Sequence, residues 1–291
     1  MKLSNQIKSE IENVTKSSIK SLESISGGCI SDAYKLIMSS GNSFFLKLNN
    51  NNPGNMFEKE AHGLNELNKS NAIRVPHVIQ FNETYILIEF ISPGNRSRNF
   101  FEDFGHKFAE MHKYLGNTFG FYENNFIGSN IQENVADDDE KENWTKFYFN
   151  KRILFQLKLA EKNGFATKEL ASKINLLEDK IEKILNGSKE KPSLLHGDLW
   201  GGNYIVDEKG NAALIDPAVY YGHREADLAM TKLFGGFSPQ FYEAYNESFP
   251  LSSGYEFREN IYKLYHVLNH LNLFGRGYYP QVISLIDFYV K

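Results

Sequence analysis

A single cysteine, Cys29, stands in the 291 residues, so no internal disulfide can form, which fits a reducing compartment. No apolar run approaches the ~18 residues of a membrane-spanning helix, and Met1-Lys2-Leu3-Ser4-Asn5-Gln6 lacks the apolar stretch of a secretory signal. The expectation is a cytoplasmic protein with no membrane partner. Basic blocks are missing as well: 32 Lys and Arg face 36 Asp and Glu, for a formal net charge of −4. Binding a nucleic-acid backbone needs a basic surface that releases counterions, so nucleic acid is excluded as a partner. What remains, 41% hydrophobic and 23% charged residues, describes an ordinary globular chain long enough for about two lobes.

Spacing divides the chain. Leu3, Ile7, Ile11 and Val14 predict a short amphipathic helix. Strand-like segments follow at Ile19 to Ser26, Tyr34 to Met38, Phe44 to Leu48, Val78 to Phe81 and Tyr85 to Ile91, and Ser39-Ser40-Gly41-Asn42 reads as a hairpin turn. Phe57, Ala61, Leu64 and Leu67 mark one helix between the third and fourth strands. Ser92-Pro93-Gly94-Asn95 punctuates the chain as a hinge, which divides it into lobes of residues 1–91 and 92–291. Beyond it, Phe101, Phe104, Phe108, Met111 and Leu115 form an apolar helical stripe. Residues 116–143 read as loop, with Asp137-Asp138-Asp139-Glu140 solvated. Helices are expected at Trp144 to Asn163, Thr167 to Leu185 and Tyr255 to Phe274. The fold class is α+β: a small antiparallel-sheet lobe with one main helix, and a larger, mainly helical lobe.

The chemistry concentrates in Leu194-Leu195-His196-Gly197-Asp198-Leu199-Trp200-Gly201-Gly202-Asn203, followed by Leu214-Ile215-Asp216-Pro217-Ala218. Moving a phosphoryl group needs a carboxylate to take the proton of the attacking hydroxyl and oxygen ligands to hold Mg²⁺ against the phosphates. Asp198, Asn203 and Asp216 supply them, with Asn203 five positions after Asp198, as in the kinase catalytic loop. Upstream, Gly27-Gly28 between two strands would let backbone N–H groups approach nucleotide phosphates. Lys47, on the apolar strand Phe44 to Leu48, is either an edge lysine facing water or a phosphate ligand. Glu60 on the next helix would hold it in place, with Glu58 the rival. Glu89, Phe90 and Ile91, running into the hinge, offer backbone groups for an adenine edge. His196 reads as loop packing rather than catalysis, and His266 with His270, four apart on one helix, as packing or a pocket wall. Cys29 sits inside the Gly-rich segment, either as a small packed residue or as a thiol able to bridge to another molecule.

These segments together resemble the fructosamine kinase (ketosamine-3-kinase) family, within the protein-kinase-like group that includes aminoglycoside phosphotransferases and choline kinases. The resemblance runs through Gly27-Gly28-Cys29-Ile30-Ser31, Phe45-Leu46-Lys47, Phe126-Ile127-Gly128-Ser129 and the two catalytic segments. It continues through Tyr221-Gly222-His223-Arg224-Glu225-Ala226-Asp227 and Leu264 to Gly275. It implies ATP and Mg²⁺ as cofactors and a ketoamine sugar, free or on a glycated protein lysine, as the acceptor at its 3-hydroxyl. Asp198 then matches the base, Asn203 and Asp216 the metal ligands, Lys47 and Glu60 the nucleotide-lobe pair. Trp200, His223 and His270 become sugar-pocket residues, and Asp227 a brace beneath the catalytic loop. A monomer is expected. Gly197 stands where protein kinases carry Arg, and Pro217-Ala218 where they carry Phe-Gly, so control through an activation loop is not expected. Other small-molecule kinases of the same fold, or an inactive nucleotide-binding protein, are the alternatives.

Overall fold

The computed structural model describes residues 3–25, 32–48, 54–186 and 189–291. Gly27, Gly28 and Cys29 therefore lie outside the described residues. Helix α1 (Asn5–Thr15) starts where the Ser4 hydroxyl accepts the Ile7 N–H, and it buries Ile11. Strands β1 (Ile19–Ile25), β2 (Asp32–Met38), β3 (Ser43–Leu48), β4 (Val78–Phe81) and β5 (Tyr85–Glu89) form one antiparallel sheet ordered β1-β2-β3-β5-β4. The β2–β3 hairpin turns at Ser39 to Asn42, where Gly41 takes φ +90°. Helix α2 (Met56–Lys69) crosses behind the sheet with Phe57, Ala61, Leu64 and Leu67 buried.

After β5 the chain turns mainly helical. Helix α3 (Phe100–His112) buries Phe100, Phe104, Phe108 and Met111. Leu115 lies past its end and is exposed, and Phe101 is half-buried, so the expected stripe holds at Phe104, Phe108 and Met111 and fails at its two ends. The stretch expected as loop contains a hairpin, β6 (Asn125–Ile127) and β7 (Asn130–Gln132). Its acidic run is mixed: Asp138 and Asp139 face solvent beside Lys141 and Lys146, while Glu140 is buried and accepts from Asn150. The single helix expected over 144–163 is α4 (Trp144–Tyr148), a π-turn over Phe149–Leu154 and α5 (Phe155–Lys162). The wide turn carries the fully buried Arg152 inward, where its guanidinium donates to Asn134 and lies 4.1 Å from the Tyr220 ring centroid.

Thr167 caps α6 (Lys168–Leu185). Two short antiparallel ladders follow: β8 (Ser193–Leu195) with β11 (Tyr220–Gly222), and β9 (Tyr204–Val206) with β10 (Ala212–Leu214). Helices α7 (Glu225–Thr231), α8 (Pro239–Ser248), α9 (Tyr255–Phe274) and α10 (Tyr279–Val290) complete the lobe. Its core joins α6, α9 and α10 through residues such as Leu177, Leu268 and Ile286. No helix among the described residues is long and apolar enough to cross a membrane.

Candidate active site

The loop after β8 carries the half-buried Asp198, and its shape is imposed by Asp227. Asp227, buried on α7, accepts the His196 N–H at 2.7 Å and the Gly197 N–H at 2.8 Å. It also faces His112 Nε2 at 3.3 Å, while the Tyr245 hydroxyl meets His112 Nδ1 at 2.7 Å. Burial would raise the Asp227 carboxyl, but these donors hold it below the ordinary range. His196 Nε2 lies 3.0 Å from the Ile215 carbonyl, which can only accept, so Nε2 carries the proton and Nδ1 faces the Asp198 N–H at 3.3 Å. Burial pushes the His196 pKa down. A neutral ring of fixed tautomer that bonds only within the loop is a structural part of it. Gly197 takes φ +82°, and a Cβ there would overlap the Ala218 carbonyl oxygen. Its place in the loop thus requires glycine where protein kinases carry Arg.

Asn203 Nδ2 donates to the Asp198 carbonyl at 2.7 Å and to Asp198 Oδ2 at 3.1 Å, which leaves the amide oxygen of Asn203 as an acceptor. Asp216 takes φ +53°, a left-handed conformation rare for a residue with a side chain. Its Oδ1 contacts Lys47 Nζ. Lys47 Nζ also lies 2.7 Å from Glu60 Oε1, whereas Glu58 pairs with Lys59. Burial alone would lower the Lys47 pKa, but Asp216 and Glu60 raise it above its ordinary value and keep the ammonium charged. Desolvation pushes the Asp198 carboxyl well above the usual Asp range, with Asn203 opposing and Asp216 adding to the rise.

The segment after Asp216 is gripped by side chains that no spacing rule singles out. Asn125 Nδ2 donates to the Val219 carbonyl at 2.7 Å, and Gln132 Nε2 to the Ala218 carbonyl at 2.8 Å. The Tyr265 hydroxyl donates to Gln132 Oε1 at 2.8 Å. Helix α2 docks on the same segment, with Gly63 against Pro217 and Val219, Glu66 accepting from Tyr221, and Lys59 and His62 meeting Glu123.

Of the three sugar-pocket expectations, one fails. His223 is only 2% exposed, stacked on Trp144 at 4.8 Å and edge-on to Phe119 at 5.6 Å. Burial and the cationic Arg258 and Arg224 push its pKa down to about 3, so it is a neutral core residue. Trp200 is exposed, and His270 lies half-buried on α9. The Glu89 carboxylate pairs with Arg74 at 2.6 Å, and the Glu89 N–H donates to the His77 carbonyl. The Phe90 ring lies under Lys35 Nζ at 4.6 Å, and Ile91 is buried.

This arrangement of sheet, docked helix and cleft is that of a kinase-like phosphotransferase. Aminoglycoside phosphotransferase APH(2'')-Ib in its ADP-bound form superposes with a TM-score of 0.64 at 15% identity, covering 99% of this chain and 98% of that one. That match carries the fold alone. The family model for fructosamine kinase matches residues 3–291, and the chain belongs to the fructosamine kinase family. It is accordingly an ATP-dependent phosphotransferase. A probable ketoamine kinase of Enterococcus faecium is 38% identical over 265 residues, covering 90% of this chain and 92% of the relative. A chloroplastic protein-ribulosamine 3-kinase of Arabidopsis thaliana is 41% identical, covering 94% and 83%. A solved protein of Thermobifida fusca, provisionally assigned as a fructosamine-3-kinase, superposes with a TM-score of 0.86 at 29% identity, covering 98% and 99%.

Proposed function

We propose that the protein transfers the γ-phosphoryl group of ATP to the 3-hydroxyl of a ketoamine sugar, after which the unstable adduct leaves its amine and the amine is restored. The observation that carries this reading is the convergence of Lys47, Glu60, Asp198, Asn203 and Asp216 in a chain matched by the fructosamine kinase family model over residues 3–291. In this reading Asp198 accepts the hydroxyl proton as the sugar oxygen bonds to the γ-phosphorus and the bond to the β-phosphate oxygen breaks, releasing ADP. Lys47, fixed by Glu60, binds the α/β-phosphates. Gly27 and Gly28, outside the described residues, are assigned to these phosphates from the sequence alone. The Glu89 N–H already serves His77, so adenine falls to the Glu89 carbonyl and the Ile91 N–H, with Phe90 between them. The lobes meet at residues 91 and 92.

Mg²⁺ fits the donor set. The free amide oxygen of Asn203 and the Asp216 carboxylate are hard oxygens, and Mg²⁺ takes one or two protein ligands and fills its other positions with phosphates and water. Bound there, the ion would neutralise charge on the phosphates. Trp200 and His270 line the sugar pocket. Substrates are ketoamines on small amines or on the lysines of glycated proteins, met by a monomer in the cytoplasm.

Phosphate transfer from ATP to ribulosyl- and fructosyl-amines, kanamycin and choline tests the reading. A ketoamine should be the preferred acceptor by a wide margin, and equal or better use of kanamycin would overturn it. Asp198→Asn should nearly abolish turnover while leaving Mg·ATP binding largely intact, whereas Asp216→Ala should weaken both. Near-normal turnover by Asp198→Asn would remove it from the mechanism.

A further inference from the structure

Outward from Trp200 runs a chain of aromatic rings that phosphoryl transfer alone does not need. Trp200 stands two residues after Asp198, 40% exposed, with its ring lying over Gly202, where a Cβ would meet it at 2.5 Å. Glycine at 202 therefore leaves room for the indole to lie against the loop that follows Asp198. From it the chain passes edge-on to Phe234 at 6.0 Å, then to His270 at 4.9 Å, and then divides to Phe274 at 5.4 Å and Tyr278 at 5.2 Å. Phe234 is 42% exposed and Phe274 61%. The stop of α9 at Gly275, at φ +89°, and the 3-10 turn Arg276–Tyr278 bring Tyr278 back beside Phe274.

Two properties narrow the occupant. His270 Nδ1 lies 2.7 Å from the His266 carbonyl, so Nδ1 carries the proton and Nε2 holds a lone pair. Burial pushes the His270 pKa down, so the ring stays neutral. A neutral acceptor among exposed aromatic faces suits a cation with an apolar stem, because ring faces attract cations and the stem covers apolar surface. Resting on the ketoamine reading, the geometry points to a subsite in which Phe234, Phe274 and Tyr278 hold the amine-borne arm of the substrate. The occupant is an extended alkylammonium chain, such as the side chain of a glycated lysine. The sugar lies towards Trp200 and Asp198, the secondary ammonium near His270, and the alkyl stem along Phe274 and Tyr278.

The test compares ribulosyl-hexylamine with ribulosyl-methylamine on the whole chain, using Phe274→Ser, Tyr278→Ser and the double variant. Both positions lie outside the catalytic set, and Phe274 is exposed, so the fold is under little threat. The double variant should lower kcat/KM for the hexylamine adduct about tenfold, through KM, and leave the methylamine adduct within about twofold. Equal losses on both adducts, or no loss on the hexylamine adduct, would overturn the subsite. If the unaltered enzyme turns over neither adduct, the ketoamine reading itself fails and the subsite with it. Wild-type turnover of both adducts, without selective loss in the variants, removes the subsite alone.

Discussion

At the residue scale the catalytic loop is built around one missing side chain. Gly197 has positive φ, and any Cβ on it would push into the Ala218 carbonyl. The Ala218 N–H in turn donates to the His196 carbonyl. Gly197→Ala should therefore move Asp198 and Asp216 apart, and a displacement of about 1 Å in such a site costs about 10²-fold in rate. The measurement is kcat at saturating ATP, with circular dichroism to show that the variant is folded; a kcat within about threefold of the parent would show that the loop tolerates the change. Asp198 itself makes a pH prediction. Desolvation raises its pKa, so the proposed base is protonated, and on that reading inactive, at pH values where an exposed Asp, with a pKa of ~3.9, would still be ionised. The acid limb of kcat/KM should accordingly lie above pH ~4, and a limb at or below that value would contradict the desolvation. Lys47 and Glu60 were legible as a strand lysine with a helix glutamate to answer it. The Lys47 contact with Asp216 was not, because 169 positions separate the two.

At the element scale the hairpin of β6 and β7 replaces part of what an activation segment does elsewhere, holding the chain after Asp216 by its carbonyls. Gln132 is fully engaged, with Nε2 on Ala218 and on Asn125, and Oε1 on Tyr265. Gln132→Met keeps the volume but leaves two buried groups without partners, at a cost of about 1–3 kcal/mol each. Positioning of Asp216 should suffer beyond that loss of stability. The Mg²⁺ concentration for half-maximal rate should rise severalfold, and Gln132→Glu, which restores the acceptor for Tyr265 but not the donor to the Ala218 carbonyl, should not recover it. An unchanged Mg²⁺ dependence in a folded Gln132→Met protein would make the hairpin a packing element only. Sequence alone could not find this clamp. Strands β1 to β5 show up because they are runs of four to seven residues, with alternation along parts of β2 and β3 and a continuous apolar run in β5, bounded by turn signals. Three-residue strands bearing Asn and Gln have no period to read, and their amides make sense only once the Ala218 and Val219 carbonyls arrive from far along the chain. The π-turn was hidden for a similar reason, since Arg152, which it carries, meets its partner Asn134 only in the tertiary structure.

At the scale of the whole molecule, the two lobes are joined by more than the peptide that follows β5. Gly94 donates to the Val206 carbonyl and Ser97 to the Gly210 carbonyl, so the linker lies against the β9–β10 hairpin that separates Asn203 from Asp216. Arg74, before β4, secures the same junction: its guanidinium reaches Glu89 at 2.6 Å, Glu208 at 2.9 Å and Asp207 at 3.2 Å, and its carbonyl accepts from Leu214. One cation thus ties the strand entering the hinge to the hairpin flanked by both proposed metal ligands. Helix α2 is docked on the large lobe without any phosphorylated loop, so lobe geometry rests on such fixed contacts. Arg74→Met keeps the stem and removes the charge, leaving Glu89 and the buried Asp207 without their shared cation. The pairs are partly exposed and partly screened, so the expected loss is about 1–2 kcal/mol rather than the full cost of a buried pair. A chain of this length should then show a Tm lower by about 2–6 °C. Since Glu89 also adjoins the proposed adenine edge, KM for ATP should rise severalfold while KM for the ketoamine, whose proposed pocket residues Trp200 and His270 lie far along the chain from Arg74 and Glu89, changes little. Equal shifts in both KM values would point to general loosening, and unchanged KM and Tm would show that the backbone contacts of the linker hold the lobes by themselves.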